Sequence, residues 1–144
     1  MTLVKTRRFA RELVLQGLYA AEMAETSSDK ILEDLMSRHA VDTESREFME
    51  RLFNTSLNQK EWIRTQIEER LENWDITRVA IIDLLVLQMM IAEMVFLEDI
   101  PPKVSIAEGV EIARKYSTDE SSSFVNGILD SVYHSLEELP IPGE

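Results

Sequence analysis

The chain of 144 residues contains no cysteine. This absence excludes a disulfide framework, thiolate ligation of zinc and a cysteine nucleophile, and it fits a reducing cytoplasm. The two histidines, His39 and His134, are solitary in the sequence. There is no glycine-rich phosphate loop, no H-E-x-x-H motif and no repeated Asp/Glu spacing, so the sequence gives no support for an enzyme, a cofactor or a metal site.

Proline and glycine are scarce, with four residues of each. The prolines stand at Pro101, Pro102, Pro140 and Pro142, so long stretches contain no helix breaker. Between these breaks the apolar residues recur at helical spacing, and no run alternates with a period of two. The pattern predicts an all-α fold, and the length predicts a single domain over residues 1–144.

The most apolar stretch, residues 74–94, predicts a central helix that is buried nearly all round. A membrane span is the alternative, because the stretch is about long enough to cross a bilayer. Polar residues interrupt it at every fifth position, namely Arg78, Asp83, Gln88 and Glu93. These side chains point in directions that are spread widely around the helix axis, so no single pore or partner could satisfy all of them. The stretch is therefore interpreted as the core helix of a soluble bundle.

Six further helices are expected around the central one. The first, residues 6–25, has mostly small residues on its inner face, which lets another helix approach closely. The other five are expected at about 31–39, 43–57, 62–73, 106–115 and 124–136, with a break at 54–58. The tail from Pro140 to residue 144 is expected to fray.

The dipeptide Asn126-Gly127 conflicts with the helical pattern around it, because glycine inside a helix costs about 1 kcal/mol relative to alanine. Such conflicts often mark packing or functional constraints. We interpret Gly127 as a point of close helix contact and Asn126 as an amide at a surface.

Charge is distributed unevenly along the chain. The formal net charge of −12 argues against indiscriminate binding to nucleic acid or anionic lipid. The N-terminal arm, residues 1–11, carries four cations and no acid, which leaves −16 for the rest; the cations are Lys5, Arg7, Arg8 and Arg11. Leu15 and Tyr19 are expected to be exposed beside the arginines, and arginine and tyrosine are enriched at binding hot spots. The alternative to a binding surface is that these arginines only keep the start of the helix solvated.

Three groups of motifs follow one another along the chain. The first is RRFARE at 7–12 with Gln16 and Leu18-Tyr19, and the second is W-x-x-x-R at 74–78 with Asp83, Leu87 and Glu93-Met94. The third comprises Ile100-Pro101, Val104-Ser105, Glu108, EIA at 111–113 and FVNGILD at 124–130. Their order and spacing resemble the NusB family of bacterial transcription antitermination factors, over the whole chain except about residues 26–60.

The resemblance implies a seven-helix fold of two packed helical bundles and a role in rRNA transcription. It implies binding to single-stranded boxA-type leader RNA together with the ribosomal protein NusE, and then association with other Nus factors and RNA polymerase. The residues implied at the RNA are Lys5, Arg7, Arg8, Arg11, Phe124 and Asn126, and those implied at NusE are Leu15, Tyr19 and Asp83. Arginine contacts and aromatic stacking suit single-stranded RNA, and an acidic body suits a basic ribosomal protein.

The chain departs from the family at several positions. Leu84, Gln88 and Ser123 replace residues that are commonly basic, and Ala92 replaces a common tyrosine. If each lost cation removes a phosphate contact, RNA affinity is low without the partner. The three or four cations that remain in the arm predict a slope of about −2 to −3 for the logarithm of RNA affinity against the logarithm of salt concentration. Two alternatives stay open: a protein-interaction adaptor with little RNA binding, and a detached relative of the RNA-binding module of some rRNA methyltransferases. A homodimer through the arginine-bearing face also stays open.

Overall fold

The computed structural model describes residues 3–4, 6–24, 26–72 and 75–142. Within those residues the chain forms seven α-helices, which confirms the predicted all-α fold. The helices are α1 (Arg7–Met23), α2 (Ser28–Arg38), α3 (Thr43–Asn58), α4 (Lys60–Glu68), α5 (Ile81–Phe96), α6 (Pro102–Tyr116) and α7 (Asp119–His134). Two 3₁₀ helices, Ile76–Arg78 and Leu136–Glu138, and two strands, β1 (Leu3–Val4) and β2 (Ala40–Val41), complete the list. The elements fall into two compact units, Met1–Asn58 and Gln59–Glu144.

In the first unit, α1 packs against α2 and α3. A Cβ atom at Gly17 would lie 2.9 Å from Leu35 Cδ1 and 3.0 Å from Phe53 Cε1, so α1 approaches both neighbours closely. The close approach predicted for the inner face of α1 is therefore confirmed. Thr6 caps the helix, because its Oγ1 accepts a hydrogen bond of 3.1 Å from the Phe9 N–H.

A short parallel strand pair ties the chain before α1 to the connection between α2 and α3. In this pair Leu3 lies opposite Ala40 and Val4 lies opposite Val41. The sequence pattern did not predict it, because two residues are too few to show an alternation.

Helix α3 continues through the break that was expected at 54–58. Inside it, the buried Ser56 Oγ donates a 2.7 Å hydrogen bond to the carbonyl of Leu52, so the hydroxyl is satisfied without ending the helix. The predicted break is wrong in position, and the turn comes at Gln59 instead. Asp42 caps the other end of the helix, because its Oδ1 accepts a 2.7 Å hydrogen bond from the Ser45 N–H.

In the second unit, α5 packs against α4, α6 and α7, and every residue from Asp83 to Met94 is buried. This confirms the central helix, but its predicted start at residue 74 is wrong. Asp75 Oδ1 accepts a 3.0 Å hydrogen bond from the Thr77 N–H and caps a 3₁₀ turn there. Bonds from the backbone and the side chain of Thr77 hold the pKa of Asp75 below its usual range. Trp74 lies outside the described residues.

Each buried polar side chain of α5 finds a partner on a different helix. Asp83 Oδ2 accepts a 2.8 Å hydrogen bond from Ser121 Oγ of α7. Gln88 Oε1 accepts one of 3.3 Å from Arg64 Nη2 of α4, and Glu93 Oε1 accepts one of 3.1 Å from Ser105 Oγ of α6. The polar side chains point in different directions around α5 because their three partners lie on three different helices. In the described part of the chain, no helix is long and apolar enough to cross a bilayer.

The ends of the remaining helices differ by a few residues from expectation. Pro102 is the first residue of α6, where the missing N–H of proline costs no intrahelical bond. Helix α4 ends at Glu68, and its expected end at Asn73 lies outside the described residues. Fraying from Pro140 is not observed at that residue, because its carbonyl accepts a 3.0 Å hydrogen bond from Trp62 Nε1.

Two glycines inside helices of the second unit have opposite surroundings. A Cβ atom at Gly109 would lie 2.9 Å from both Met90 Cγ and Leu129 Cδ1, whereas a Cβ atom at Gly127 would meet nothing within 4 Å. The interpretation of Gly127 as a point of close helix contact is therefore wrong. Close contact is the property of Gly109.

This difference predicts opposite effects of alanine on stability. Gly109→Ala is expected to lower the free energy of unfolding by about 1–2 kcal/mol, because overpacking outweighs the better helix propensity. Gly127→Ala is expected to raise it by about 0.5–1 kcal/mol, because propensity acts there alone. Urea unfolding followed by circular dichroism measures both, and changes of the same sign would contradict the two environments.

Candidate nucleic-acid interface

The first turn of α1 places arginines where helix electrostatics disfavour them. Arg7 and Arg8 are its first two residues, and the turn contains no acidic residue. The positive end of the helix dipole makes a cation at this position unfavourable by about 0.3–1 kcal/mol. A negatively charged ligand would reverse the sign of this term, since anions bind well at helix N-termini.

The ring of Phe48 on α3 packs against the guanidinium of Arg7 and holds it in position. The Arg7 guanidinium carbon lies 4.1 Å from the centre of the buried Phe48 ring, within the range of a cation–π contact. Arg7 Nη2 also lies 3.7 Å from Glu44 Oε1, and the Arg7 side chain is 40% exposed. Arg7 is therefore held in place while part of its guanidinium remains accessible. Arg8 is exposed as well.

Arg11 and Leu15 are not at the surface. Arg11 is 2% exposed and its guanidinium carbon lies 5.3 Å from the same Phe48 ring, and Leu15, one turn later, is 3% exposed. The expectation of an exposed leucine is therefore wrong, since this side of α1 is covered. Lys5 lies outside the described residues.

An exposed apolar pair lies further along α1. Tyr19 is 42% exposed, as expected, and Met23 is 55% exposed. Residues four apart lie on the same face of a helix, so these two side chains form one surface. Sequence reasoning missed Met23, although its spacing from Tyr19 was visible. Tyrosine and methionine together are typical of the core of a protein interface.

In the second unit, Phe124 and Asn126 lie on different faces of α7. Residues two apart on a helix do not face each other, and here Phe124 is half-buried whereas Asn126 is exposed. Phe124 shares its face with Gly127, Ile128 and Ser131. These residues, with Arg70 and Leu71 after α4, line an open cavity of about 440 Å³. The sequence motif pointed to Phe124 but not to Arg70.

Asp83 lies against the first turn of α7 instead of at the surface. It is 6% exposed, and Ser121, which donates to its Oδ2, is also bonded to the hydroxyls of Ser117 and Thr118. The implied contact of Asp83 with a partner therefore lacks an exposed carboxylate. In the described residues, no group of three or more His, Asp or Glu is arranged to hold a metal ion.

Two of the three departures from the family cations lie in the core. Leu84 is 7% exposed and Gln88 is 1% exposed, whereas Ser123 is exposed. Because Leu84 and Gln88 are buried, their side chains cannot contact a phosphate in solution. The argument from lost phosphate contacts therefore holds at Ser123 alone.

Comparison with known proteins finds one family. The sequence model of the NusB family matches residues 8–134 of this chain. A transcription antitermination protein NusB of Chloroherpeton thalassium is 41% identical over 136 residues, which are 94% of this chain and 64% of that protein. The chain thus spans slightly less than two thirds of the length of this relative.

Solved structures share the fold over nearly the whole chain. NusB of T. maritima has a TM-score of 0.81 and 31% identity, and the match covers 96% of this chain and 94% of that one. A crystal structure of the antitermination factors NusB and NusE in complex with dsRNA has a TM-score of 0.81 and 23% identity, with 90% and 96% covered. At that identity the second likeness concerns the fold alone.

Proposed function

Because this chain belongs to the NusB family, we propose that it is a transcription antitermination factor that binds boxA-type rRNA leader RNA together with NusE. The pair then joins elongating RNA polymerase with the other Nus factors. The observation that carries RNA binding is the first turn of α1, where Arg7 and Arg8 stand at the positive end of the helix. A phosphate at that turn would lie close to both arginines and to the positive end of the helix dipole.

The NusE surface is proposed at Tyr19 and Met23. Both are large, exposed and adjacent on α1, and exposed apolar side chains of this kind mark interaction sites. Leu15 and Asp83 act through packing in this proposal, because both are buried. The strong negative charge outside the arm supports the choice of a basic partner.

Binding of a labelled boxA-type RNA, with and without NusE and over a salt series, tests the proposal. We expect NusE to tighten RNA binding and the logarithmic salt slope to lie at about −1 to −3, because each phosphate contact of a single strand contributes about −0.7. RNA binding that does not respond to NusE would contradict the joint complex.

The adaptor reading is the second candidate, and the burial of Arg11 favours it by leaving fewer accessible cations. It predicts that NusE binds and RNA does not.

A homodimer through the arginine-bearing face would compete with RNA, and sedimentation of the chain with and without RNA detects it. We further propose that the protein acts by binding alone, without catalysis, as one functional domain in the cytoplasm.

Ser123 offers a way to strengthen the RNA surface. Ser123→Arg places a cation at an exposed position beside Phe124. We expect RNA affinity to rise about fivefold at low salt, as for an exposed ion pair of about 1 kcal/mol, and the salt slope to steepen by about 0.7. Ser123→Gln, which adds length without charge, serves as the control. A gain that is equal in both variants would exclude a phosphate contact.

A further inference from the structure

Helices α2 and α3 leave an open groove of about 440 Å³ on the surface of the first unit. The α2 residues that line this α2–α3 groove stand three or four positions apart along one face of the helix: Asp29, Leu32, Glu33, Met36 and Ser37. At 1.5 Å per residue the face is about 12 Å long. Leu35 lies outside it, because its side chain faces α1 at Gly17. The groove therefore lies along a second face of α2, which does not pack on α1.

The floor of the α2–α3 groove is apolar. Met36 is buried, whereas Leu32 is only half-buried, so part of its side chain remains in contact with water. Side chains at such spacing form the ridges between which the side chains of another helix pack. The three helices of the first unit thus leave a position for a fourth helix along α2 and α3.

Charged side chains surround this floor. They comprise one cation, Arg46, and three carboxylates, those of Asp29, Glu33 and Glu50. Within the described residues, none of these four side chains forms a hydrogen bond or an ion pair. Glu50 is half-buried, so its unpaired carboxylate is the most costly of the three. A partner that supplies cations would pair these groups.

The charge of the groove selects among possible occupants. Three carboxylates against one cation repel the phosphates of RNA and of anionic lipids. A second copy of the chain is disfavoured as well, because its net charge is −12. A basic segment of another protein complements the groove in both charge and apolar character.

We propose that the α2–α3 groove is a docking site for an amphipathic helix of a partner protein. The apolar stripe of this helix covers Leu32, and lysines or arginines beside the stripe face Glu33 and Glu50. Helices that dock in grooves use apolar anchors at such three- and four-residue spacing. The inference goes beyond the proposed function, because the groove contains no residue assigned to RNA or NusE and none of the family motifs lies on α2 or α3.

The probe is a labelled peptide of about 15 residues, long enough to form an isolated helix, with leucines at helical spacing and lysines on both sides of them. In two matched peptides, glutamate replaces the lysines or serine replaces the leucines. Fluorescence anisotropy with the full chain is expected to show saturable binding of the lysine peptide below about 1 mM and at least about 10-fold weaker binding of the other two. No binding of the lysine peptide, or equal binding of all three, would overturn the groove.

Reversing the charge of the groove tests its carboxylates. Glu33→Lys with Glu50→Lys is expected to weaken binding of the lysine peptide at least about 10-fold and to allow the glutamate peptide to bind. Asp34→Lys with Glu47→Lys is the matched control, because both positions are exposed on the same two helices and outside the groove. The control should change the affinity no more than about twofold. An equal loss in both double variants would show a general attraction to an acidic chain and overturn the groove.

Leu32→Gln tests the apolar floor without a change of charge. We expect the lysine peptide to bind this variant about 10-fold more weakly, because one apolar anchor loses its contact. Circular dichroism checks the fold of each variant, and Leu32→Gln decides the matter if the charge-reversed chain does not fold. An unchanged affinity would mean that the peptide does not lie on the floor, which would overturn the groove.

The failure of this inference is distinguishable from the failure of the proposed function. Glu33→Lys with Glu50→Lys is expected to bind boxA-type RNA and NusE as tightly as the control variant does. If the charge-reversed chain alone loses NusE, the groove belongs to the NusE surface and a separate site is wrong. If the unchanged chain binds neither RNA nor NusE while peptide binding depends on Leu32 and the two glutamates, the proposed function is wrong and the groove stands.

Discussion

Replacing Arg7 and Arg8 together by alanine is expected to lower the affinity for boxA-type RNA by at least about 100-fold, because two charge-assisted contacts with phosphate are lost and each contributes about 1.5–3 kcal/mol. Both arginines lie in the first turn of α1, and Arg7 is held over the Phe48 ring. The salt slope should become shallower by about 1.4, since two phosphate contacts are lost. The fold should not change, because both positions are accessible and the substitution removes an unfavourable interaction with the helix dipole.

The matched control replaces Arg38 and Arg46 by alanine. Both are exposed and belong to the same unit, so the control removes the same charge from a different surface. A general electrostatic attraction predicts the same loss of RNA affinity in both double variants. A specific site at the start of α1 predicts a large loss in the first variant alone. Fluorescence anisotropy at one fixed salt concentration separates the two cases.

Replacing Gln88 by arginine is expected to lower the free energy of unfolding by about 3 kcal/mol, although the NusB resemblance gives a basic residue there. Gln88 is 1% exposed, and its Oε1 accepts a hydrogen bond from Arg64 Nη2. Arginine removes this acceptor and places a second guanidinium beside the first, in a position that water hardly reaches. Burying a like charge without a new partner is among the most destabilising changes in a core.

Chemical denaturation of the Gln88→Arg chain measures this effect, and Gln88→Met is the control because it keeps the volume and adds no charge. Gln88→Met also removes the acceptor for Arg64, so the difference between the two variants reports the added charge. If Gln88→Arg is as stable as the unchanged chain, position 88 accommodates a cation. The burial of this position would then not explain why the chain has glutamine where the family commonly has a basic residue.

Much of the fold could be predicted because apolar spacing reports the burial of long helices directly. The body of α5 and the close contact at Gly17 follow from residue type and period alone. The start of α5 could not be predicted in this way. It depends on a side-chain cap at Asp75 and two extended residues, Val79 and Ala80, within an apolar run.

The candidate site was less predictable, because periodicity gives the faces of a helix but not which of them another element covers. Arg11 and Leu15 are on the flank of α1, and their burial depends on contacts that local sequence does not encode. Arg70 and Ser131 are hydrogen-bonded although far apart in the chain, and no motif links them. Gly127 was correctly singled out as a conflict with the helical pattern, but a helix contact is not its reason, because a Cβ atom there would meet nothing within 4 Å.

The three hydrogen bonds of α5 have a consequence for how the second unit is specified. A helix that is apolar on every side packs almost equally well at many rotations about its axis. Turning α5 by one residue, about 100°, would move Asp83, Gln88 and Glu93 away from their partners at the same time and leave each of them buried. The polar groups therefore select one angular setting of the core helix among many that hydrophobic burial alone would allow, and that setting fixes which way α4, α6 and α7 are held around it.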